Sequence, residues 1–127
     1  MDKLEIKIGE VTLQAYLYEN ETARQICAIL PILSTANRWG EEIYFSIPLE
    51  LEPAIDARVE MKIGELAYWP PGKAMCIFWG PTPVSKANEP RAASDVNPFG
   101  QILGDASLLN DVDPGAEVRV RLLPGSG

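Results

Sequence analysis

The first seventeen residues show the clearest alternation of apolar and polar positions in the chain. Apolar side chains occupy every second position over residues 4–8 and again over residues 11–17, and the pair Gly9-Glu10 separates the two runs. A Gly-X pair between two alternating runs predicts a β-hairpin, because glycine supplies the positive φ that a type II′ turn requires.

The next segment changes to helical spacing. Four side chains recur at i, i+3, i+4 and i+7 and form one apolar stripe, namely Ala23, Ile26, Cys27 and Leu30. Asn20 or Thr22 begins the helix, and Thr22 with Gln25 is able to form a capping box. Pro31 ends it, since the residue before a proline is driven out of the α region. We therefore predict one main helix over about residues 20–30, covering one open end of a sheet or barrel.

Most of the remaining chain has the pattern of short strands. They are predicted at residues 43–45, 74–79, 99–104 and 117–122. Ala74–Trp79 is a continuous apolar run between Pro/Gly breakers, which is typical of a strand buried on both faces. Residues 60–66 repeat the pattern of residues 5–11 almost position for position. A second use of the same hairpin signal explains this repeat more simply than a duplicated half-domain.

The other segments have the composition of turns and loops. The segment from Gly80 to about Pro98 is rich in Pro, Ser, Ala and Asn and predicts a long loop, which at that length is usually functional or mobile. Residues 106–109 predict a short helical turn, and residues 113–115 a tight turn. Many short strands, one main helix and frequent turns predict a mainly β barrel or sandwich, with a single domain over residues 1–127.

Charge and hydropathy narrow the range of partners. The chain of 127 residues carries a net charge of −7 and has a pI near 4.5. Nucleic acids and anionic membranes both attract Lys and Arg, so neither partner is expected. No stretch approaches the roughly 20 apolar residues of a membrane span, and the first residues lack the apolar core of a signal peptide. We therefore expect a cytoplasmic protein.

The absence of histidine excludes whole classes of chemistry. Without histidine there is no Ser-His-Asp or Cys-His nucleophile and no histidine metal ligand. Cys27 and Cys76 are far apart in apolar patterns, so we expect two buried free thiols rather than a disulfide or a zinc site. The sequence predicts no metal and no cofactor, and any activity must rely on carboxylates, Arg, Lys, Tyr or shape.

Four segments resemble a known family. They are N-R-W-G-E-E-I-Y-F at residues 37–45, Y-W-P-P-G-K at 68–73, F-W-G-P-T-P at 78–83 and A-S-D-V-N-P-F-G-Q-I at 93–102. Together they resemble the small bacterial and archaeal cyclophilin-like family, over nearly the whole chain. The resemblance implies a closed β-barrel of about eight strands with one main helix and short helical turns. It implies no function, because none is assigned to that family.

The resemblance also raises the question of prolyl isomerisation. Cyclophilins twist an X-Pro amide in an apolar groove, where an arginine hydrogen-bonds the twisting peptide, and this needs no nucleophile. The Phe-His pair that accompanies that arginine in cyclophilins is missing here. Arg38, which precedes Trp39, is the candidate substitute. The alternative is an exposed Arg38 that pairs with Glu41 or Glu42.

Strand alternation divides the other candidate side chains. Adjacent residues on a strand face opposite ways, so Glu41 and Glu42 cannot flank one bond. One of them is expected to face solvent, and the other to enter the barrel mouth with a raised pKa. In the same way, one ring of each aromatic pair, Tyr68-Trp69 and Phe78-Trp79, should be core and the other accessible.

These observations favour a binding module that presents an aromatic groove to a peptide segment or a small molecule. Tyr44 carries a hydroxyl that can orient a ligand, and Asn97 can contact one at the base of the loop. The predicted binding residues are Arg38, Trp39, Glu41, Tyr44, Tyr68, Trp69, Phe78 and Asn97. The alternatives are a weak or atypical prolyl isomerase that uses Arg38, and a barrel that acts only through an interface.

Overall fold

The protein is mainly β in the computed structural model, which describes residues 2–124. Among these residues the single α-helix, α1, spans Glu21–Ala28, and two 3-10 turns span Pro70–Gly72 and Ala106–Asp111. The strands are β1 (Lys3–Ile8), β2 (Val11–Leu17), β3 (Ile32–Thr35), β4 (Asn37–Arg38), β5 (Glu42–Ser46), β6 (Arg58–Glu60), β7 (Glu65–Trp69), β8 (Ala74–Phe78), β9 (Arg91–Leu103) and β10 (Glu117–Leu122).

The strands form one antiparallel sheet whose two edges come from the same piece of chain. The order runs from β3 through β10, β1, β2, β9, β7, β8 and β5 to β4, while β6 pairs with β9 off this path. Only Ala36 separates the edge strands β3 and β4. The Ser34 hydroxyl donates to the Ser46 carbonyl at 2.7 Å, which links β3 to β5. The sheet therefore curls until its edges adjoin, although no backbone ladder between β3 and β5 closes it within the described residues.

The predicted hairpin is confirmed. Strands β1 and β2 pair from Lys3↔Tyr16 to Ile8↔Val11, and Gly9 between them has a φ of +58°. The apolar positions of β1 are buried and its polar positions are more exposed, as alternation requires. Strand β10 pairs along the other side of β1 and is also confirmed.

The helix is confirmed but is shorter than predicted. Its cap is Asn20, whose Oδ1 accepts from the Ala23 N–H at 2.8 Å. The prediction of a capping box between Thr22 and Gln25 is therefore wrong, and Gln25 Nε2 donates to Glu21 Oε1 at 2.9 Å instead. The helix ends three residues before the proline expected to end it.

The repeated pattern at residues 60–66 does not form a second hairpin. Gly64 has a positive φ of +84°, as Gly9 does, but β6 pairs with β9 and not with β7. The Glu65 carboxylate explains the difference, because it accepts from the Lys62 N–H at 2.9 Å and binds Arg58 at 3.0 and 2.7 Å. These bonds join β6 and the segment after it to the first residue of β7.

The predicted loop over residues 80–98 ends at Pro90, because β9 begins at Arg91 and continues as one strand of 13 residues. The first half of β9 pairs with β6, and its residues Ala92 and Val96 are buried. Pairing with a distant strand thus overrides a composition typical of loops. Pro98 lies beside a register shift between β7 and β9, where a missing N–H is tolerated.

Two apolar clusters lie on opposite faces of the sheet. The main core fills the inside of the curled sheet and includes side chains from β1, β2, β5, β8, β10 and α1. A smaller outer cluster is formed by Met61, Ala67, Cys76, Phe78, Ala92 and Val96. Strand β8 contributes to both, with Met75 and Ile77 inside and Cys76 and Phe78 outside, so its predicted burial on both faces is confirmed. The candidate site lies beside the outer cluster.

Candidate functional site

A largely apolar pocket opens between the outer faces of β5, β7 and β8 and the first half of β9. We call it the aromatic pocket. Its volume is about 260 Å³. It is lined by Trp39, Glu42, Tyr44, Trp69, Cys76, Ala92, Ala93 and Val96. Cys76, Ala92 and Val96 belong to the outer cluster, so the pocket lies on the outside of the curled sheet and not in the barrel mouth where the sequence placed a carboxylate.

Three aromatic side chains form walls of the pocket, each positioned by its own element. Tyr44 lies directly opposite Cys76 in the β5–β8 register. Trp69 ends β7, and its indole Nε1 donates to Ser94 Oγ at 2.8 Å, which fixes the ring against β9. Trp39 lies between β4 and β5, where its backbone N–H donates to the Glu42 carbonyl at 3.0 Å. Within residues 2–124, no hydrogen bond engages the Trp39 indole N–H or the Tyr44 hydroxyl.

Glu42 is the acidic group of the pocket. Its side chain shares a face of β5 with Tyr44, and the residue is only 5% exposed. Burial raises its pKa from about 4.5 to about 7, and the Cys76 thiol beside it, a weak donor, offsets only part of this rise. Burial and the neighbouring Glu42 in turn raise the pKa of Cys76. No Lys or Arg is among the described residues that line the pocket.

Two predicted binding residues are fully buried. Tyr68 lies in the main core, where its hydroxyl donates to the Leu49 carbonyl at 2.7 Å and accepts from the Leu51 N–H at 3.1 Å. Phe78 lies in the outer cluster without lining the pocket. The expected division into core and accessible rings therefore holds for Tyr68 and Trp69. It fails for Phe78 and Trp79, because the outer cluster covers Phe78 and the main core buries Trp79.

Arg38 lies outside the pocket. Its Nε donates to the Gly40 carbonyl at 2.8 Å, and its Nη1 donates to the Asn110 carbonyl at 2.9 Å. The guanidinium lies 5.1 Å from the centre of the Trp79 ring. Arg38 therefore ties β4 to the second 3-10 turn. The alternative pairing with Glu41 or Glu42 is also absent from the described residues.

Asn97 has a similar anchoring position. It is 1% exposed, its Oδ1 accepts from the Ala54 N–H at 2.8 Å, and its Nδ2 donates to the Glu52 carbonyl at 3.1 Å. These bonds hold the irregular segment after β5 against β9. Asn97 is not among the residues that line the aromatic pocket.

Of the two adjacent glutamates, the pocket contains Glu42 and not the predicted Glu41. Glu41 is half-buried, and its carboxylate packs against Gly80. One feature of the sequence indicates that Glu42 is a pocket residue: it lies two residues before Tyr44 and therefore on the same face of the strand. No periodicity indicated Ala92, Ala93 or Val96 as pocket residues, because the composition of this segment predicts a loop. Trp39, Tyr44 and Trp69 are the predicted residues that the pocket brings together.

The described residues hold neither a membrane-crossing helix nor a cluster of metal ligands. Within residues 2–124, no helix is long and apolar enough to span a membrane. In the same part of the chain, no three His, Cys, Asp or Glu residues stand close enough to hold a metal ion.

With this fold and site, the chain belongs to the cyclophilin-like family, whose model matches residues 2–121. It is similar to the hypothetical protein AF2241 from Archaeoglobus fulgidus, whose solution structure matches with a TM-score of 0.80 and 40% identity over 94% of this chain and 93% of that one. The family resemblance and the mainly β fold with one main helix are thus confirmed.

A second solved structure shows the same fold at lower identity. McbB in complex with tryptophan matches with a TM-score of 0.69 and 18% identity, over 98% of this chain and 45% of McbB. This likeness shows the fold alone. No curated protein matches the chain.

Proposed function

We propose that this protein binds a small molecule in the aromatic pocket. The observation that carries the proposal is the lining itself, in which three aromatic side chains and one buried carboxyl group converge on a volume of about 260 Å³. Apolar concave walls with a few polar groups are typical of small-molecule sites. An engineered apolar cavity of about 150 Å³ holds benzene. The aromatic pocket therefore has room for about one substituted ring.

The unpaired polar groups of the pocket also support binding. Trp39 and Tyr44 line the pocket, and neither the Trp39 indole N–H nor the Tyr44 hydroxyl makes a hydrogen bond among residues 2–124. Both residues are half-buried, and a ligand that covered them would supply partners for these two groups. McbB, with the same fold at low identity, forms a complex with tryptophan, which agrees with a small ligand on this scaffold.

Prolyl isomerisation receives less support from the geometry. The arginine proposed for it, Arg38, has its guanidinium engaged by the Gly40 and Asn110 carbonyls, away from the pocket. We therefore expect a protease-coupled assay with an X-Pro peptide to give background rates. Turnover above background that Arg38→Lys removes would restore the isomerase alternative. We also propose that the protein acts in the cytoplasm.

The test of the proposed function compares two tyrosine variants. Wild type is screened by tryptophan fluorescence and calorimetry against neutral aromatics, amines, carboxylic acids and an X-Pro peptide. Tyr44→Leu should weaken any bound probe by about tenfold or more, because it removes a wall and a hydroxyl. Tyr16→Leu is the control, since Tyr16 is half-buried on β2 and does not line the pocket. Equal losses in both variants, or no binding by any probe at millimolar concentration, would contradict the proposal.

A further inference from the structure

We propose that the ligand of the aromatic pocket is a small organic cation, held against the faces of Trp39, Tyr44 and Trp69 with Glu42 as its counter-ion. This inference rests on the proposed function and names its ligand class. Three features of the pocket carry it: the clustered aromatic side chains, the absence of a basic side chain among the described lining residues, and a buried carboxyl group without a cationic partner.

The three aromatic side chains suit a cation. A cation within about 6 Å of an aromatic ring centre is attracted by the ring quadrupole, most strongly by Trp, and sites for quaternary ammonium groups are lined by several such rings. Two of the three rings here are tryptophans, and Ser94 holds one of them through its indole N–H. No Lys or Arg is among the described lining residues, and the cation–π contact found in the described chain, of Arg38 with Trp79, involves none of these three rings.

The two buried glutamates, Glu65 and Glu42, differ in their partners. Glu65 is fully buried, and Arg58 binds its carboxylate at 3.0 and 2.7 Å. Glu42 is 5% exposed, and its pKa is set by burial, which raises it, and by the Cys76 thiol, which lowers it. Within the described residues, no cation pairs with its carboxyl group. A buried carboxylate is costly unless it is paired, and a cationic ligand would give Glu42 the partner that Arg58 gives Glu65.

Proton linkage gives this arrangement a measurable signature. Because burial raises the pKa of Glu42 to about 7, the empty pocket holds a mixture of protonated and ionised carboxyl near neutrality. A cation favours the ionised form, so its affinity should rise by about tenfold between pH 6 and pH 8. The titratable group beside Glu42 is the Cys76 thiol from β8, and Tyr44 shares the same face of β5. The lining residues from β7 and β9, Trp69, Ala92, Ala93 and Val96, are uncharged.

The experiment uses a matched pair of probes. Choline carries a permanent charge, and 3,3-dimethylbutan-1-ol has the same shape without the charge. Calorimetry at pH 8 should show that choline binds at least about tenfold more tightly than the alcohol. The choline affinity should also rise from pH 6 to pH 8. Equal affinities for the two probes, or an affinity that falls as the pH rises, would overturn the inference.

Two variants at adjacent positions test the counter-ion. Glu42→Gln keeps the shape of the side chain and removes its charge, so it should weaken choline by about tenfold and abolish the pH dependence. Glu41→Gln removes a charge from the neighbouring residue, which lies outside the pocket, and should change neither. Trp39→Leu is a second test that leaves Glu42 in place, and it should also weaken choline. An unchanged choline affinity in folded Glu42→Gln or Trp39→Leu would overturn the inference.

The outcomes separate this inference from the proposed function. If the neutral alcohol or another uncharged probe binds, choline does not, and Tyr44→Leu weakens that probe, then the pocket binds small molecules and only the cationic class is wrong. If no probe binds, both proposals fail. If a peptide containing trimethyllysine bound more than tenfold tighter than choline, the ligand would be a methylated lysine side chain of another protein and the free small cation would be wrong.

Discussion

At the scale of single residues, two glutamates show how the environment sets the chemistry of one side-chain type. Burial would raise the pKa of Glu65, but Arg58, the Lys62 N–H and the Tyr18 hydroxyl together outweigh it and hold that pKa below its usual value. Glu42 lacks such partners in the described chain, and its pKa is raised to about 7. The first glutamate is therefore a fixed structural anion, and the second is a group that changes charge near neutrality.

The raised pKa of Glu42 predicts a particular dependence of stability on pH. A carboxyl group whose pKa is raised on folding contributes its full stabilisation at pH values below its ordinary pKa of about 4.5. This contribution is lost as the pH rises through the folded-state pKa of about 7. Between pH 5 and pH 8 the wild type should lose about 2–3 kcal/mol of unfolding free energy relative to Glu42→Gln. Urea denaturation of both proteins at the two pH values measures this difference. If the unfolding free energies of wild type and Glu42→Gln change by the same amount between the two pH values, then Glu42 has an ordinary pKa.

At the scale of secondary-structure elements, α1 depends on a single capping residue. Asn20 accepts from the Ala23 N–H through Oδ1, and its Nδ2 donates to the Pro98 carbonyl at 2.9 Å, which ties the start of the helix to β9. The side chain thus satisfies one of the free N–H groups of the first turn and also docks the helix against the sheet.

Replacement of this cap should destabilise the protein measurably. Asn20→Ala should lower the unfolding free energy by about 1–2 kcal/mol, because the cap and the contact to β9 are lost together. Gln25→Ala should cost less than about 0.5 kcal/mol, since its hydrogen bond to Glu21 is exposed. Thermal and urea unfolding of the two variants provide the comparison. A larger loss from Gln25→Ala would restore the capping box that the sequence predicted.

Elements with local signals could be predicted from the sequence, and elements that depend on distant partners could not. The β1–β2 hairpin, α1, β8 and β10 each carry their own periodicity or turn residues. The first half of β9 has the composition of a loop and becomes a strand because β6 pairs with it. The same pairing brings Ala92 and Val96 over the outer face of the sheet, so the wall of the aromatic pocket was hidden from local patterns. The rings of Trp39, Tyr44 and Trp69 were visible because their residue type alone indicated binding.

At the scale of the whole molecule, the fold separates stability from binding. The curled sheet is filled by the main core, whereas the aromatic pocket lies on the outer face beside a smaller cluster. Adjacent residues of β5 serve the two sides, with Phe45 buried in the main core and Tyr44 in the pocket wall. The net charge of −7 also favours the approach of cations, and added salt should weaken this attraction.

The separation predicts different effects at these two adjacent positions. Phe45→Ala should cost about 3–5 kcal/mol of unfolding free energy, because it leaves a cavity in the main core. Tyr44→Leu should cost about 1 kcal/mol or less, since its half-buried side chain faces the pocket and its hydroxyl has no partner within residues 2–124. Chemical denaturation of both variants tests this. A Tyr44→Leu loss as large as that of Phe45→Ala would place Tyr44 in the core and remove it from the pocket wall.

The most direct test of the account follows the three tryptophan indole N–H signals in a nitrogen-15 NMR titration with choline at pH 8. Trp39 and Trp69 line the aromatic pocket, whereas Trp79 is buried in the main core and donates to Asn110 Oδ1 at 2.7 Å. We expect saturable shifts of the Trp39 and Trp69 signals with the Trp79 signal unchanged, and a midpoint at an about tenfold higher choline concentration in Glu42→Gln. Equal movement of all three signals, or none at millimolar choline, would contradict the binding of a cation in the aromatic pocket.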